Sequence, residues 1–503
     1  MKAIHSLKLA LLLPLAFLEA GLARAGQTAK PKPPNVVFIL CDDLGYGDVH
    51  VLNPKRGKIA TPNMDHLRHE GMAFTDCHSS SAVCTPSRYS VLTGRYPWRS
   101  RLQKGVLSGF SEPLIAPDRM TVGTFLKSHG YTTAAMGKWH LGLTFDKQDY
   151  TKPITDGPLQ HGFDYFYGIC ASLDMPPFVF IENDRFTEVP SVTKKWVRPG
   201  PAGPKFEAVD VLPKLTAKAS QYITSRGSDK KPFFLYLALP SPHTPLVPNK
   251  QWQGKSSLGP YGDYVMETDW ALGEVLKSIE HAGLKENTLV MFSSDNGCAP
   301  YIGVHDLEAK GHYPSAEFRG YKSDIWDGGH RVPCFVRWPG SIKADSESKQ
   351  IVCLSDLLAT CADLVGDKLP ANAGEDSVSI LPALLGKDHG PLHEAIVNHS
   401  ISGRFAIRQG NWKLELCPGS GGWEKPKDSE AKKLGLPSIQ LYNMHDDIGE
   451  KVNLQAKDVD TVKRLTALLE KYVSQGRSTP GAPSHNDVPV DIWKKRLNGP
   501  HKK

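Results

Sequence analysis

The chain has 503 residues, 40% of them apolar, and a formal charge of +7. That length allows one large α/β domain and a smaller one. The excess of basic residues is mild and spread out, so it admits an anionic substrate without demanding nucleic acid. None of the nine cysteines forms a C-x-x-C pair, which argues against a zinc knuckle or a thioredoxin-like motif.

Residues 1–25 read as a signal peptide. Lys2 and Lys8 lead into the apolar run Leu9–Leu18, too short to span a bilayer, and Ala23-Arg24-Ala25 forms an A-x-A cleavage site. No cysteine follows that site and no other long apolar run exists, so no membrane anchor is expected. The expected location is periplasmic or secreted, and lysosomal only in a eukaryote. The expected organisation is a proline-rich lead over 26–34, a large α/β domain over 35–390, a C-terminal antiparallel-sheet subdomain with a helix over 391–480, and a polar tail over 481–503.

Asn35 to Cys41 (N-V-V-F-I-L-C) is a continuous apolar run, as expected of a strand buried on both faces in a parallel sheet. Asp42 and Asp43 follow at once, where open α/β sheets bind ligands. Thr61-Pro62 opens a predicted helix that runs to Glu70 and stops at Gly71. Val83 to Gly94 reads V-C-T-P-S-R-Y-S-V-L-T-G. With Pro86 at its start, a helix there puts Cys84 at the N-terminus, where backbone N–H groups attract anions and lower a thiol pKa. Arg88 offers a planar fork for oxyanions. Arg95, Arg99, Arg101 and Lys104 lie in a glycine- and proline-bearing loop and read as solvated surface charge.

Thr121–His129 is a predicted helix and Tyr131–Met136 a strand, followed by Lys138 and His140. Residues 183–205 read as an irregular surface loop and Val209–Ile223 as an amphipathic helix. Pro232–Leu239 is a second buried strand, leading into Pro240-Ser241-Pro242-His243. Tyr264–His281 is a helix. Thr288–Ser294 is a third buried strand, followed by Asp295 and Asn296. Residues 298–318 read as an inserted loop, Cys334–Trp338 as a strand and Leu354–Gly366 as a helix. Arg404–Leu414 and Leu441–Leu454 read as strands with a turn, and Asp458–Gln475 as an amphipathic helix.

A lone cysteine is most often a small buried hydrophobe. The context of Cys84 differs: C-T-P-S-R, four residues, then T-G closely resembles the signature of the sulfatases, whose cysteine becomes formylglycine. D-D-L-G-Y-G-D (Asp42–Asp48) resembles the metal motif of that family, and G-Y-T-T-A-A-M-G-K-W-H-L-G (Gly130–Gly142) its second signature. G-I-C-A-S-L-D (Gly168–Asp174) is similar to a loop that places a serine, here Ser172, near the sulfate. F-R-G-Y-K brings in Lys322. The resemblance covers most of residues 35–455. It implies a large mixed, mostly parallel sheet flanked by helices, the alkaline-phosphatase-like fold, with a smaller C-terminal α+β subdomain.

Hard oxygen ligands from Asp42, Asp43, Asp295 and Asn296 suit Ca²⁺ or Mg²⁺ better than zinc. The resemblance implies one Ca²⁺ per chain, with residue 84 as a further ligand, while Mg²⁺ stays open. It also implies a mechanism for a sulfate monoester. Hydrated formylglycine at position 84, polarised by the metal and Asp295, attacks sulfur. Arg88, Lys138 and Lys322 neutralise the sulfate oxygens, and Ser172, Lys138, His243 and Lys322 bind the substrate. His243 protonates the leaving alcohol, and His140 takes the proton from the second hydroxyl. The implied partners are a sulfated small molecule or glycan and a maturation enzyme, either formylglycine-generating or anaerobic. Arg99, Arg101, Lys194, Trp196, His305 and His312 lie in basic and aromatic loops that point to a sulfated sugar. Two rival readings are a phosphatase or phosphonate monoester hydrolase of the same superfold, and a glycan-binding protein without catalysis.

Overall fold

The computed structural model describes residues 33–494. The predicted signal peptide, most of the proline-rich lead and the end of the tail lie outside these residues. Among them, ten strands form one sheet in the order Ser346–Ser348, Met72–Phe74, Cys334–Arg337, Thr288–Ser294, Asn35–Asp42, Phe233–Pro242, Thr132–Lys138, Tyr165–Ile169, Ile181–Glu182 and Arg185–Phe186. The five strands from Thr288–Ser294 to Tyr165–Ile169 pair in parallel, while Cys334–Arg337 and the last two run antiparallel to their neighbours.

The strand Asn35–Asp42 is buried at every position. Val36, Phe38 and Leu40 enter one hydrophobic core, whereas Val37, Ile39 and Cys41 enter another on the opposite face. This alternation is why an unbroken apolar run belongs at the centre of a two-sided sheet. One face is covered by the helices Cys84–Thr93, Val122–Ser128 and Leu357–Val365. The other is covered by Pro62–Glu70, Val211–Ser225 and Pro260–His281. At about 25 cal/mol per Å² of apolar surface removed from water, these two cores are the main force holding the layers together.

A second sheet of four antiparallel strands, Ile396–His399, Phe405–Gln409, Trp412–Glu415 and Gln440–Asn443, packs against the helix Val459–Ser474. Buried ion pairs tie it to the large sheet's connections. Arg408 Nη2 meets Asp76 Oδ2 at 2.7 Å, and Lys413 Nζ meets Asp327 Oδ1 at 2.8 Å. No described helix is long and apolar enough to cross a membrane. All nine cysteines are buried with free thiols.

Several local expectations differ from the structure. Thr61 precedes the Pro62–Glu70 helix but makes no side-chain cap: its hydroxyl oxygen accepts from the His50 N–H instead, and its proton goes to Asp65. Pro86 is the third residue of its helix, and Cys84 itself is the first. Residues 183–205 are not irregular: Val192–Lys195 and Pro199–Ala202 pair as an antiparallel hairpin. The 298–318 loop contains the helix Val304–Ala309.

The largest differences concern charge. Arg95 and Arg99 are fully buried. Arg95 pairs with Asp487 at 3.0 Å, and Arg99 with Asp376 at 2.7 Å. Arg101 remains exposed. His312 is also buried; its Nε2 lies 2.8 Å from Asp48 Oδ1, and its Nδ1 accepts from the Lys58 N–H. Lys194 donates to Glu207 at 2.7 Å, and Trp196 packs edge-on against Phe178 and Phe206. These side chains are engaged in holding the fold, whereas His305 is exposed.

Candidate active site

Four adjacent parallel strands carry the chemistry past their carboxyl ends. Thr288–Ser294 leads into Asp295 and Asn296, Asn35–Asp42 into Asp43, Phe233–Pro242 into His243, and Thr132–Lys138 into His140. Cross-links fix the strand ends: the Asp295 N–H donates to the Cys41 carbonyl and the Leu44 N–H to Ser294 Oγ, both at 3.0 Å. Against Phe233–Pro242 the register jumps from Leu40↔Ala238 to Asp42↔Pro242, an irregularity that precedes His243. Gly137 has φ of +107°, and a Cβ there would lie 1.8 Å from the Ala238 carbonyl oxygen, so only glycine admits the backbone that presents Lys138.

The charges interlock in pairs. Lys138 Nζ donates to Asp42 Oδ2 at 2.6 Å, and Lys322 Nζ to Asp43 Oδ2 at 2.8 Å. Arg88 gives Nε and Nη2 to Asp295 Oδ2 at 2.9 and 2.6 Å and Nη1 to the Lys138 carbonyl. Arg88, Lys138, Asp42 and Asp295 are all completely buried. Burial alone would raise the Asp42 carboxyl, but Lys138, His243 and Arg88 outweigh it and hold Asp42 well below the usual carboxylate range. Burial drives Asp295 the other way, upward, with Asp42 adding to the rise against the pull of Arg88.

Cys84 opens its helix with 2% exposure. Its thiol does not follow the lowering expected at a helix N-terminus. Burial pushes it upward, and the pull of Lys138 and Lys322 does not compensate. An unmodified Cys84 is therefore a protonated thiol and a poor nucleophile.

The two histidines differ in their bonding. His140 adopts φ of +56°, and its Nε2 lies 2.8 Å from the Leu107 carbonyl. That contact fixes the proton on Nε2 and leaves Nδ1 a lone pair, buried and without a partner. Burial, reinforced by Lys138, keeps this ring neutral. His243 donates Nδ1–H to the Thr244 carbonyl at 2.6 Å. Its Nε2 lies 3.3 Å from Tyr301 Oη and 3.6 Å from Asp43 Oδ2.

Two oxygens test whether a hard cation fits. Asp42 Oδ1 and Asn296 Oδ1 are buried with no hydrogen-bond partner, while Asn296 Nδ2 is held by Asp43 Oδ1 at 2.7 Å. Ligand atoms of Asp42, Cys84 and Asp295 lie within 4.8 Å of one another, as do those of Asp42, Asp43 and His243. Orphaned oxygens beside packed carboxylates are a donor set for Ca²⁺ or Mg²⁺.

A cavity of about 510 Å³ opens above these groups, and Cys84, His243 and Lys322 line it. Ser172 lies in the turn after Tyr165–Ile169, buried, with Oγ unpartnered. Arg88 and Lys138 are buried and do not line the cavity; they bond Asp295 and Asp42.

The sulfatase family matches residues 34–367. The chain belongs to that family. N-acetylgalactosamine-6-O-sulfatase of Bacteroides thetaiotaomicron is 33% identical over 489 residues, spanning 87% of this chain and 92% of that protein. Human arylsulfatase A is 32% identical, spanning 86% of this chain and 85% of its own. A solved Bacteroides thetaiotaomicron structure from the metabolism of multiple glycosaminoglycans is 32% identical with a TM-score of 0.78, covering 88% of this chain and 99% of that one. The protein is thus a sulfatase enzyme with the fold of its relatives.

The sulfatase cavity also holds residues that sequence reasoning passed over. Tyr301 bonds Lys322 at 3.2 Å and Asp43 at 3.3 Å, linking the acid to the cavity wall. Trp423 comes from the C-terminal region, its ring 5.7 Å from that of Tyr301. Asp324 accepts the Trp423 and Glu424 N–H groups at 2.9 and 3.2 Å and so anchors this segment two residues from Lys322. Tyr301 sits in a stretch that reads as an insertion and Trp423 far beyond the motifs, so neither carried a local signal.

Proposed function

We propose that this sulfatase removes sulfate from a sulfated carbohydrate, with residue 84 matured to formylglycine and one divalent cation, Ca²⁺ by preference, held by Asp42, Asp43, Asp295 and Asn296 with residue 84. The observation that carries the reading is the cluster of Cys84, three carboxylates, three cations and two differently bonded histidines at the ends of adjacent parallel strands. The relatives named for N-acetylgalactosamine 6-sulfate make a 6-sulfated amino sugar the first substrate to try.

Formylglycine at position 84 would supply, as its hydrate, two geminal hydroxyls, one for attack on sulfur and one for release of sulfate. A cation held by Asp42, Asp43, Asp295 and Asn296 would supply Lewis-acid polarisation of an oxygen at this position. The protein's own groups do the rest. Lys322 and Lys138 meet the sulfate oxygens, where positive partners lower the barrier. Arg88 acts through Asp295, holding its carboxylate in place. Ser172 Oγ, free of any other bond, is available to the sulfate. With Nδ1–H held by Thr244, His243 gives a proton from Nε2 to the leaving alcohol only as the imidazolium, a form that burial and Lys322 disfavour and the Asp43 carboxylate favours. His140 Nδ1 takes a proton from residue 84, and its Nε2–H on Leu107 fixes the tautomer.

A carboxylate triad, each member already paired with a cationic side chain, together with the unpartnered Asp42 and Asn296 oxygens, fits one hard cation. A two-metal phosphatase site would want more histidine ligands. A glycan-binding protein without turnover needs neither the orphaned oxygens nor the paired histidines. We further propose that the protein is exported, periplasmic or secreted, and is matured by a formylglycine-generating or anaerobic sulfatase-maturating enzyme.

The deciding experiment is turnover of 4-nitrophenyl sulfate, 4-nitrophenyl phosphate and a panel of sulfated mono- and disaccharides. Sulfate release from a sugar is expected. Preference for the phosphate, or retention on a sulfated-glycan column without turnover, would replace this reading by one of its rivals.

A further inference from the structure

The active-site cavity carries an ion pair that sulfate chemistry does not use. Asp174 lies in the turn that contains Ser172, where the Met175 N–H bonds the Ser172 carbonyl at 2.9 Å. Arg198 lies between the hairpin strands Val192–Lys195 and Pro199–Ala202. Arg198 Nη1 meets Asp174 Oδ2 at 3.2 Å, and both residues line the cavity. The hairpin is tied to the same turn region, since the Phe178 N–H donates to the Pro201 carbonyl at 2.9 Å.

The pair is incompletely satisfied. Asp174 is 6% exposed, and its Oδ1 is buried without a hydrogen-bond partner. A buried carboxylate oxygen left unpaired is costly, and a ligand hydroxyl is the donor it lacks. The Arg198 side chain is about half exposed, and one bond to Asp174 leaves guanidinium N–H groups for a hydroxyl oxygen. Together the two groups can accept from one hydroxyl and donate to its neighbour. Their charges cancel, so the pair does not recruit a second anion and fits an uncharged, hydroxylated ring. The wall around it is apolar and aromatic, with Met175, Val197, Tyr301 and Trp423, which suits the C–H face of a pyranose.

We propose that Asp174 and Arg198 form a specificity-determining pair that reads the neutral hydroxyls of the sugar bearing the sulfate, selecting an uncharged pyranose sulfate over an aryl or uronate sulfate. This rests on the sulfatase reading of the same cavity. An aryl sulfate offers the pair no hydroxyl, and a uronate brings a carboxylate against Asp174.

The test uses full-length matured enzyme with N-acetylgalactosamine 6-sulfate, galactose 6-sulfate and 4-nitrophenyl sulfate. Arg198→Ala and Asp174→Asn are expected to lower kcat/KM on the better sugar sulfate about ten- to a hundredfold, mainly through KM. The loss on the aryl ester is expected to be at least about tenfold smaller, and Arg198→Lys to recover part of the sugar rate. Because Arg198 is half exposed, its variants carry the test if Asp174→Asn folds poorly. Equal losses on sugar and aryl esters, or an undiminished sugar rate, would overturn the pair's role while leaving the sulfatase reading intact. A wild-type enzyme that hydrolyses none of the three would overturn both.

Discussion

Replacing Arg99 by alanine separates two accounts of the basic loop after the cysteine motif. As a surface arginine near a polyanion site, Arg99 should matter for substrate and little for stability. The structure buries it completely. Its Nε and Nη2 reach the two Asp376 oxygens at 2.7 and 2.8 Å, and its Nη1 reaches the Tyr472 carbonyl at 3.0 Å and Asn486 Oδ1 at 2.9 Å. Arg99→Ala leaves Asp376 buried without its countercharge, a change that costs about 3–5 kcal/mol. Unfolding entropy is about 2.1 cal/mol/K per residue, or about 1 kcal/mol/K over roughly 460 residues, so each kcal/mol moves the midpoint by about 1 °C. The expected result is a calorimetric midpoint lower by about 3–5 °C, with kcat/KM of the folded enzyme on 4-nitrophenyl sulfate within about twofold. Arg101→Ala is the control. That side chain is exposed and bonds only to the Glu112 and Pro113 carbonyls, so its midpoint should move by less than about 1 °C. An unmoved midpoint with a tenfold fall in kcat/KM for Arg99→Ala would refute the buried-pair account and make Arg99 a substrate contact.

Other outcomes are expected at the site itself. Intact-mass measurement of active enzyme should show residue 84 lighter by about 18 Da than cysteine, the difference between thiol and aldehyde; fully active protein with an unmodified thiol would contradict this, and Cys84→Ala should lose turnover without a lower midpoint. Elemental analysis should find one Ca²⁺ or Mg²⁺ per chain, with Asp42→Asn losing both the ion and activity; zinc at full occupancy would contradict the oxygen donor set. Titration with inorganic sulfate should show at least tenfold tighter binding with the cation than after chelation, and equal affinity would break the proposed link between them. His243→Ala should lose about tenfold or more activity on sugar sulfates relative to aryl sulfates, because poor leaving groups need the proton more; His140→Ala should slow both alike, and the reverse pattern would exchange the two roles.

The central sheet was legible because its strands are buried on both faces. A continuous run such as Asn35–Cys41 has no other stable place, and acidic or basic residues directly after it must lie at the sheet's edge. The helix from Pro62 to Glu70 was legible from its proline start and glycine stop. What stayed hidden was the environment of charges, since that is decided by partners remote in sequence. Arg99 meets Asp376, 277 residues away, and His312 meets Asp48 across 264 residues. Glycines and prolines near these residues imitate a solvated loop, and nothing local distinguishes the two. Thr61 shows the same limit at short range: the residue type is right for a cap, but its oxygen is taken by the His50 N–H and its proton by Asp65. The cysteine thiol shows it for chemistry, because helix-terminus attraction is local and readable whereas the burial that outweighs it is not.

At the proposed sulfate site, the pairing of each cation with a carboxylate would keep the positive charge from attracting anions indiscriminately. Asp42, Asp43 and Asp295 oppose Arg88, Lys138 and Lys322, so each cation is already claimed by a carboxylate. An arriving sulfate must compete with those carboxylates for Lys138 and Lys322. A divalent cation on the same carboxylates changes the balance in two ways: it adds net positive charge, and it shares the oxygens that hold the lysines. Cation and sulfate binding then favour one another, and the coupling is reciprocal by linkage. Arg88 stands apart, because it gives two donors to one Asp295 oxygen and a third to the Lys138 carbonyl and is not among the residues lining the cavity. On the proposed reading, the site is a lattice of paired charges whose affinity for sulfate the cation would confer, with Arg88 fixing the Asp295 carboxylate and the two lysines redirected toward the anion.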